Sequence, residues 1–236
     1  ASSVADFGLE LNWLDAAKNI AYPSEFADRF ENLSSASDGA KILFATDDWF
    51  AVAENLLQDD PPLFDPDAFC EQGKVLDGWE TRRRRRAGHD WCLVQLPKRS
   101  EIHAVELDTA HFTGNNVPNI SLELCDLDAK DLSKMVQAIP GAFERMLHGG
   151  VQGSGHLPED VITAQEVVTN GGVWKELLPV TPLEPGFEKS RMHSFELDRP
   201  MVGNLVRINY FPDGGVARFR AWGSKLDEVK PPTTPL

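Results

Sequence analysis

Two β-rich runs near the C-terminus, residues 205–211 and 216–222, flank Pro212-Asp213-Gly214-Gly215. A short Asp-Gly connection between such runs is a strong hairpin signal, because these residues accept the backbone angles of a tight reversal. Strands of this kind must bury one face, so the pattern predicts antiparallel β structure. Val206, Ile208 and Tyr210 share one strand face and Arg207 and Asn209 the other; Arg218 and Arg220 sit opposite Ala217 and Phe219. The two polar faces either line an anion site or face water.

Further runs extend the pattern. Residues 91–96 and 102–109 are compact apolar stretches, and Ile120, Leu122 and Leu124 alternate with Ser121 and Glu123 as in a half-buried strand. Residues 113–118 (TGNNVP) supply Gly and Asn for a turn. Helical spacing is confined to three places. Residues 47–57 carry Phe50, Ala53, Leu56 and Leu57 before Pro61, Pro62 and Pro66; residues 131–139 carry Leu132, Met135, Val136 and Ile139 before Pro140. A further helix opens at Pro158 and runs through Val161, Ala164 and Val168 to Gly171-Gly172. Many short strands with few helices predict a mainly β, antiparallel sandwich with peripheral helices. Residues 1–40, with isolated aromatics Phe7, Trp13, Tyr22, Phe26 and Phe30, read as an N-terminal arm, and residues 225–236 as a Pro-rich tail or linker.

Composition narrows the function. The 37 acidic and 23 basic side chains leave a net charge of −14, which excludes a generic nucleic-acid binder. No apolar run of about 18 residues exists to span a bilayer, and no secretory signal opens the chain. Cys70, Cys92 and Cys125 form neither a disulfide framework nor a zinc motif. The expectation is a soluble intracellular protein, with its compartment left open.

The densest polar cluster runs from Asp77 through Glu80 and the five arginines 82–86 to His89-Asp90-Trp91. Arginine's planar fork matches a carboxylate, so the cluster reads as an anion site; it also reads as a solvated basic loop or a processing site. His89 and Asp90 are acid/base candidates, although neighbours on a strand point to opposite faces. Asp108 and His111, three apart at a strand end, suit a loop-borne site or simple turn formation. A divalent metal on some subset of His89, Asp90, Asp108, His111 and His193 is left open, but no HExxH motif, Cys pair or regular spacing assigns one. The glycines at 149, 150, 153 and 155 lack a P-loop's Lys-Ser/Thr, no Gly-x-Ser-x-Gly elbow occurs, and Asp126, Asp128 and Asp131 lack the rest of a calcium loop.

The strings GKVLDGWETRRRRRAGHDWCLVQL (73–96), ELDTAHFTGNNVP (106–118) and RINYFPDGGVARFRAWG (207–223) closely resemble the allantoicase family, as do FATDDWFAVAENLL (44–57) and LLPVTPLEPG with the later His193 and Phe195. The resemblance implies a jelly-roll sandwich like galactose-binding domains, present in two copies in the family and in one here. The expected repeat spans 41–224, with a possible insertion near 125–155. The implied activity is hydrolysis of allantoate, a small-molecule ureide, to ureidoglycolate and urea, with self-association or a larger assembly. The residues it brings forward are Glu80, His89, Asp90, Asp108, His111 and His193 for acid/base work, and Arg82, Arg84, Asn115 and Arg218 for substrate binding. The single copy also admits a different reading, a catalytically silent jelly roll kept as a structural or binding subunit; sugar binding rests on architecture alone.

Overall fold

The computed structural model describes residues 24–227. In chain order the strands are β1 (Glu31–Asn32), β2 (Lys41–Ala45), β3 (Asp47–Asp48), β4 (Phe69–Cys70), β5 (Gly73–Lys74), β6 (Trp79–Glu80), β7 (Asp90–Asp108), β8 (Asn119–Cys125), β9 (Ser154–Gly155), β10 (Trp174–Pro182), β11 (Met192–Phe211), β12 (Gly215–Val216) and β13 (Arg218–Lys225). The helices are α1 (Ala129–Ala138), α2 (Ala142–His148) and α3 (Pro158–Asn170), with a 3-10 turn at Ala53–Leu57. No helix among the described residues is long and apolar enough to cross a membrane.

Seven strands form one antiparallel sheet, ordered β1-β13-β7-β11-β8-β10, with β2 also paired to β7. β11 follows β7 from Met192 opposite Asp108 to Tyr210 opposite Asp90, but the register breaks between the pairs Gly203–Ser100 and Leu205–Gln95. Residues 96–99 of β7 there face only Asn204, so the pair bends as at a bulge. On one side of the bend β2 and β8 extend the sheet; on the other side β13 and β1 do. The sheet thereby folds over itself into two layers. Ile42, Val94, Leu122 and Ile208 of the first layer share one buried cluster with Ile102, Leu107, Phe219 and Ala221 of the second. The result is a mainly β, antiparallel jelly-roll sandwich. Each of the larger of these side chains contributes roughly 1.5–3 kcal/mol through removal from water.

The outer face of the first layer is also covered. Phe44, Trp91, Leu93 and Leu205 pack with Met135 and Ile139 of the α1 end, Ala142 of α2, and Ala164 and Val168 of α3. Both faces of β7 are therefore buried near Trp91, which is why 91–96 reads as an unbroken apolar run. Asp128 caps α1 by accepting from the Asp131 N–H, and Pro158 occupies the first turn of α3. α2 is pinned by Arg145, which donates to Asp48 at 2.7 and 2.9 Å and to Glu54 at 2.9 and 2.8 Å.

Several expectations need correction. The two C-terminal runs do not pair as a hairpin: β11 and β13 lie on opposite sides of β7. The Pro-Asp-Gly-Gly turn reverses the chain but leads from one side of β7 to the other. The apolar runs 91–96 and 102–109 belong to a single bent strand. The helix expected over 47–57 shrinks to Ala53–Leu57, because β3 pairs with β9 and Asp48 accepts from the Ala53 N–H at 2.9 Å. Arg218 and Arg220 neither face water nor stand open to an anion; they are 2% and 1% exposed and donate to carbonyls of residues 56–60 and 77. Within 125–155, α1 and α2 form part of the helical cover. Of the expected arm, residues 1–23, including Phe7, Trp13 and Tyr22, lie outside the described residues, as do residues 228–236 of the tail. The described part of the arm packs on the sandwich, with Phe26 and Phe30 against Trp222 and Ala104.

Gly215 marks a tight point near the site. A Cβ added there would lie 2.1 Å from the fully buried Phe112 ring. Gly215→Ala is expected to lower the urea-denaturation stability by about 1–3 kcal/mol through overpacking, with an unchanged m-value.

Candidate active site

Placement begins with Trp79. Its ring is fully buried, 4.1 Å from the Tyr210 ring, and its indole N–H donates to the Asp47 carbonyl at 2.8 Å. β6 is held on one side by β12 and bridged on the other to Ala51. This close approach needs Gly78, where a Cβ would meet the Val216 carbonyl oxygen at 2.5 Å. With Trp79 fixed inward, alternation along the strand turns Glu80 the other way. The 113–116 turn meets it, since the Gly215 N–H donates to the Asn115 carbonyl at 2.8 Å and Asn115 Nδ2 donates to Glu80 Oε1 at 2.6 Å.

These connections enclose a cleft of about 420 Å³ whose wall includes Glu80, Arg83, Arg84, Asn115 and Asp213. The Arg84 backbone N–H donates to Asp213 Oδ2 at 2.7 Å, and its Nη1 donates to Asp90 Oδ1 at 2.8 Å. Arg84 Nε is buried with no hydrogen-bond partner. Asp90 also accepts from the Thr46 hydroxyl at 2.8 Å. Burial pushes the Asp90 carboxyl above its ordinary value, against the pull of Thr46 and Arg84. Burial acts more strongly on Glu80, whose pKa is pushed up to about 7 against the opposing Asn115 hydrogen bond. A carboxyl divided between acid and base at neutral pH can give or take a proton.

The other expected residues are dispersed. Arg82 does not line this cleft; its Nε donates to Asp47 Oδ2 at 2.7 Å and its guanidinium covers the Trp49 ring at 4.6 Å. His89 lies in a neighbouring depression, with Nε2 3.1 Å from Asn209 Oδ1. Asp108 is fully buried and grips Arg191 at 2.9 and 2.5 Å. His111, at φ 70°, points its Nε2 to the Pro62 carbonyl at 3.1 Å, while His193 Nε2 accepts from the Glu184 N–H at 2.8 Å. Arg218 holds Asp77 at 2.9 and 2.8 Å, a tie within the fold instead of a wall of the cleft. The subset of these side chains weighed as metal ligands does not converge, and the described residues contain no group of three or more His, Cys, Asp or Glu able to hold a metal ion.

Sequence reasoning missed Asp213, Arg83 and Thr81 in the cleft wall and Thr46 behind it. Asp213 had a readable signal, since a turn aspartate often accepts a backbone N–H; it binds that of Arg84, 129 residues away.

Fold and cleft define a class: a jelly-roll β-sandwich whose inter-strand connections surround a buried carboxyl, with two arginines in the same cleft wall. Residues 31–226 match the allantoicase repeat model, and the chain belongs to the allantoicase family. It is 34% identical over 198 residues to a probable allantoicase 2 of Burkholderia mallei, covering 84% of this chain and 47% of that protein. To a probable allantoicase of Rhizobium meliloti it is 36% identical over 205 residues, covering 87% of this chain and 48% of the other. The crystal structure of allantoicase from Saccharomyces cerevisiae shares the fold at a TM-score of 0.57 and 23% identity, over 88% of this chain and 51% of that one. The chain spans about half the length of the curated relatives it matches.

The raised pKa of Glu80 has a stability consequence. Its folded-state value of about 7 exceeds the ordinary glutamate value of 4.5, so the fold favours the protonated acid. That contribution is whole below about pH 4.5 and is lost as pH rises through about 7, for at most about 3 kcal/mol. Glu80→Gln should therefore gain stability over the parent between pH 5 and pH 8.5 in paired denaturation curves; a difference independent of pH would contradict the shift.

Proposed function

We propose that this chain carries an allantoicase-type hydrolytic cleft, acting on allantoate to release urea and leave ureidoglycolate. The observation that carries the reading is Glu80, a buried carboxyl at about 7 in a cleft also lined by Arg83 and Arg84. Family membership supplies the substrate class.

Allantoate bears two ureido groups and a carboxylate on one carbon. Release of urea breaks one carbon–nitrogen bond and adds water at that carbon, so the leaving nitrogen gains a proton and the water loses one. Glu80 serves both transfers in turn: as the acid it protonates the leaving nitrogen, and as the carboxylate it accepts the water proton, with no net change. Arg84, in the cleft wall with its side chain 30% exposed, anchors the substrate carboxylate through its guanidinium. Asp90 and Asp213 position Arg84, and Asn115 holds Glu80 in place. Arg82 steadies the Asp47 corner beneath the cleft. His111, His193, Asp108 and Arg218 act on the surrounding fold. Self-association or a larger assembly belongs to the proposal.

The test is urea release from allantoate, followed together with light scattering over a range of chain concentrations. Glu80→Gln is expected to lower kcat by about 10²–10⁴-fold with unchanged far-UV circular dichroism. Arg84→Lys is expected to raise KM by roughly tenfold through loss of the bidentate fork. A folded chain that releases no urea at any concentration would contradict the hydrolase reading and favour a silent structural subunit.

A further inference from the structure

A second depression, of about 400 Å³, opens on the outer face of the first layer beside α3. Its floor is Arg207, the strand-face arginine that the hydrolytic reading leaves without a task. The side chain is 9% exposed, and its guanidinium lies over the Trp91 ring at 4.4 Å. Of the five N–H donors of a guanidinium, one finds a partner, from Nη2 to Gln165 Oε1 at 2.7 Å. Its Nε is buried without any hydrogen bond. A buried cation this poorly paired is costly, and burial pulls its pKa below the ordinary arginine value. Arg207 is therefore waiting for an acceptor.

The rest of the wall specifies what kind. Glu123 Oε2 stands 3.9 Å from Arg207 Nε, and accepts from Asn209 Nδ2 at 3.0 Å. With Asn209 Oδ1 accepting a hydrogen bond from the His89 Nε2–H, the neutral imidazole leaves Nδ1 as an acceptor. Burial lowers the His89 pKa, which keeps the ring neutral at pH 7. An underused donor thus stands beside two acceptors. A simple carboxylate would satisfy Arg207 but would face Glu123 and Glu176 across the same depression. A planar group with an adjacent C=O and N–H meets both sides without adding charge.

We propose that this depression binds a ureido or carboxamide group, its carbonyl oxygen on the Arg207 guanidinium and its N–H on Glu123. The site is distinct from the Glu80 cleft, since the two share none of their lining residues. Its ligand class follows from the donor and acceptor pattern and does not depend on the hydrolase reading. A substrate or product bearing a free ureido arm would be held here as a second molecule.

The test is titration of the ¹⁵N-labelled chain with N-carbamoylglycine, which offers a ureido group, and with glycolate, which offers a carboxylate without one. Saturable amide shifts are expected at Gln165, Arg207 and Asn209 with N-carbamoylglycine and not with glycolate. Arg207→Gln and Glu123→Ala should each weaken that binding at least tenfold, and Glu80→Gln should leave it within twofold. If Arg207→Gln fails to fold, Glu123→Ala, which removes a side chain that is 37% exposed, carries the test alone. Absence of these shifts, equal shifts with glycolate, or unchanged affinity in Glu123→Ala would overturn the proposal. Shifts at Thr81 and Asn115 report separately on the Glu80 cleft, so failure of one site is not mistaken for failure of the other.

Discussion

The pairing of β7 with β11 along nearly their whole lengths is the constraint on which the remaining structure depends. Each strand runs through both layers, and their common bend turns one sheet into a sandwich. The first half of β7 and the second half of β11 create the platform beneath the helices, and the second half of β7 with the first half of β11 creates the layer that receives β13 and β1. The ends of the same two strands border the Glu80 cleft and the Arg207 depression. Asp90 opens β7 behind Arg84, Phe211 closes β11 before the turn carrying Asp213, and Arg207 and Asn209 lie one turn of the pleat away.

Burial of charge then distinguishes scaffold from site. Arg145 is buried against two carboxylates and Arg218 against Asp77 and several carbonyls, so both are satisfied and serve as ties. Glu80 is buried with a single amide donor, Arg84 keeps one buried N–H unpaired, and Arg207 keeps a single hydrogen bond. A buried charge with its partners in place is neutralised within the fold, whereas an underpaired one is a candidate contact for a ligand. That contrast, more than the count of basic residues, separates the five-arginine run into parts: Arg82 is spent on Asp47, while Arg83 and Arg84 border the cleft.

Much of the fold was legible where one element decides its own state. The alternation of Ile120, Leu122 and Leu124, the helical spacing of Leu132, Met135, Val136 and Ile139, and Pro158 at the head of α3 are local signals, and the structure places a strand and two helices there. Pairing was less legible, because a turn signal such as Pro-Asp-Gly-Gly reports reversal and says nothing of which strand lies alongside. β7, more than a hundred residues earlier in the chain, takes the first run along Asp90–Gln95 and the second along Ser100–Asp108, and no local signal in either run marks those partners. For the cleft, the 77–91 cluster pointed to Glu80, Arg84 and Asp90. It did not separate them from His111, His193 and Asp108, since loop residues of the right chemistry look alike until their partners are known. Arg191, Glu184 and Pro62 are those partners, and no spacing in the chain marks them.

Burial beside the 113–116 turn holds the Glu80 carboxyl at about 7. A carbon-13 NMR titration of the Glu80 side-chain carboxyl, assigned by comparison with Glu80→Gln, measures this directly. A midpoint near 7, moving further upward when Asn115→Ala removes the opposing hydrogen bond, is the expected result. A midpoint near the ordinary glutamate value in the folded chain would contradict it.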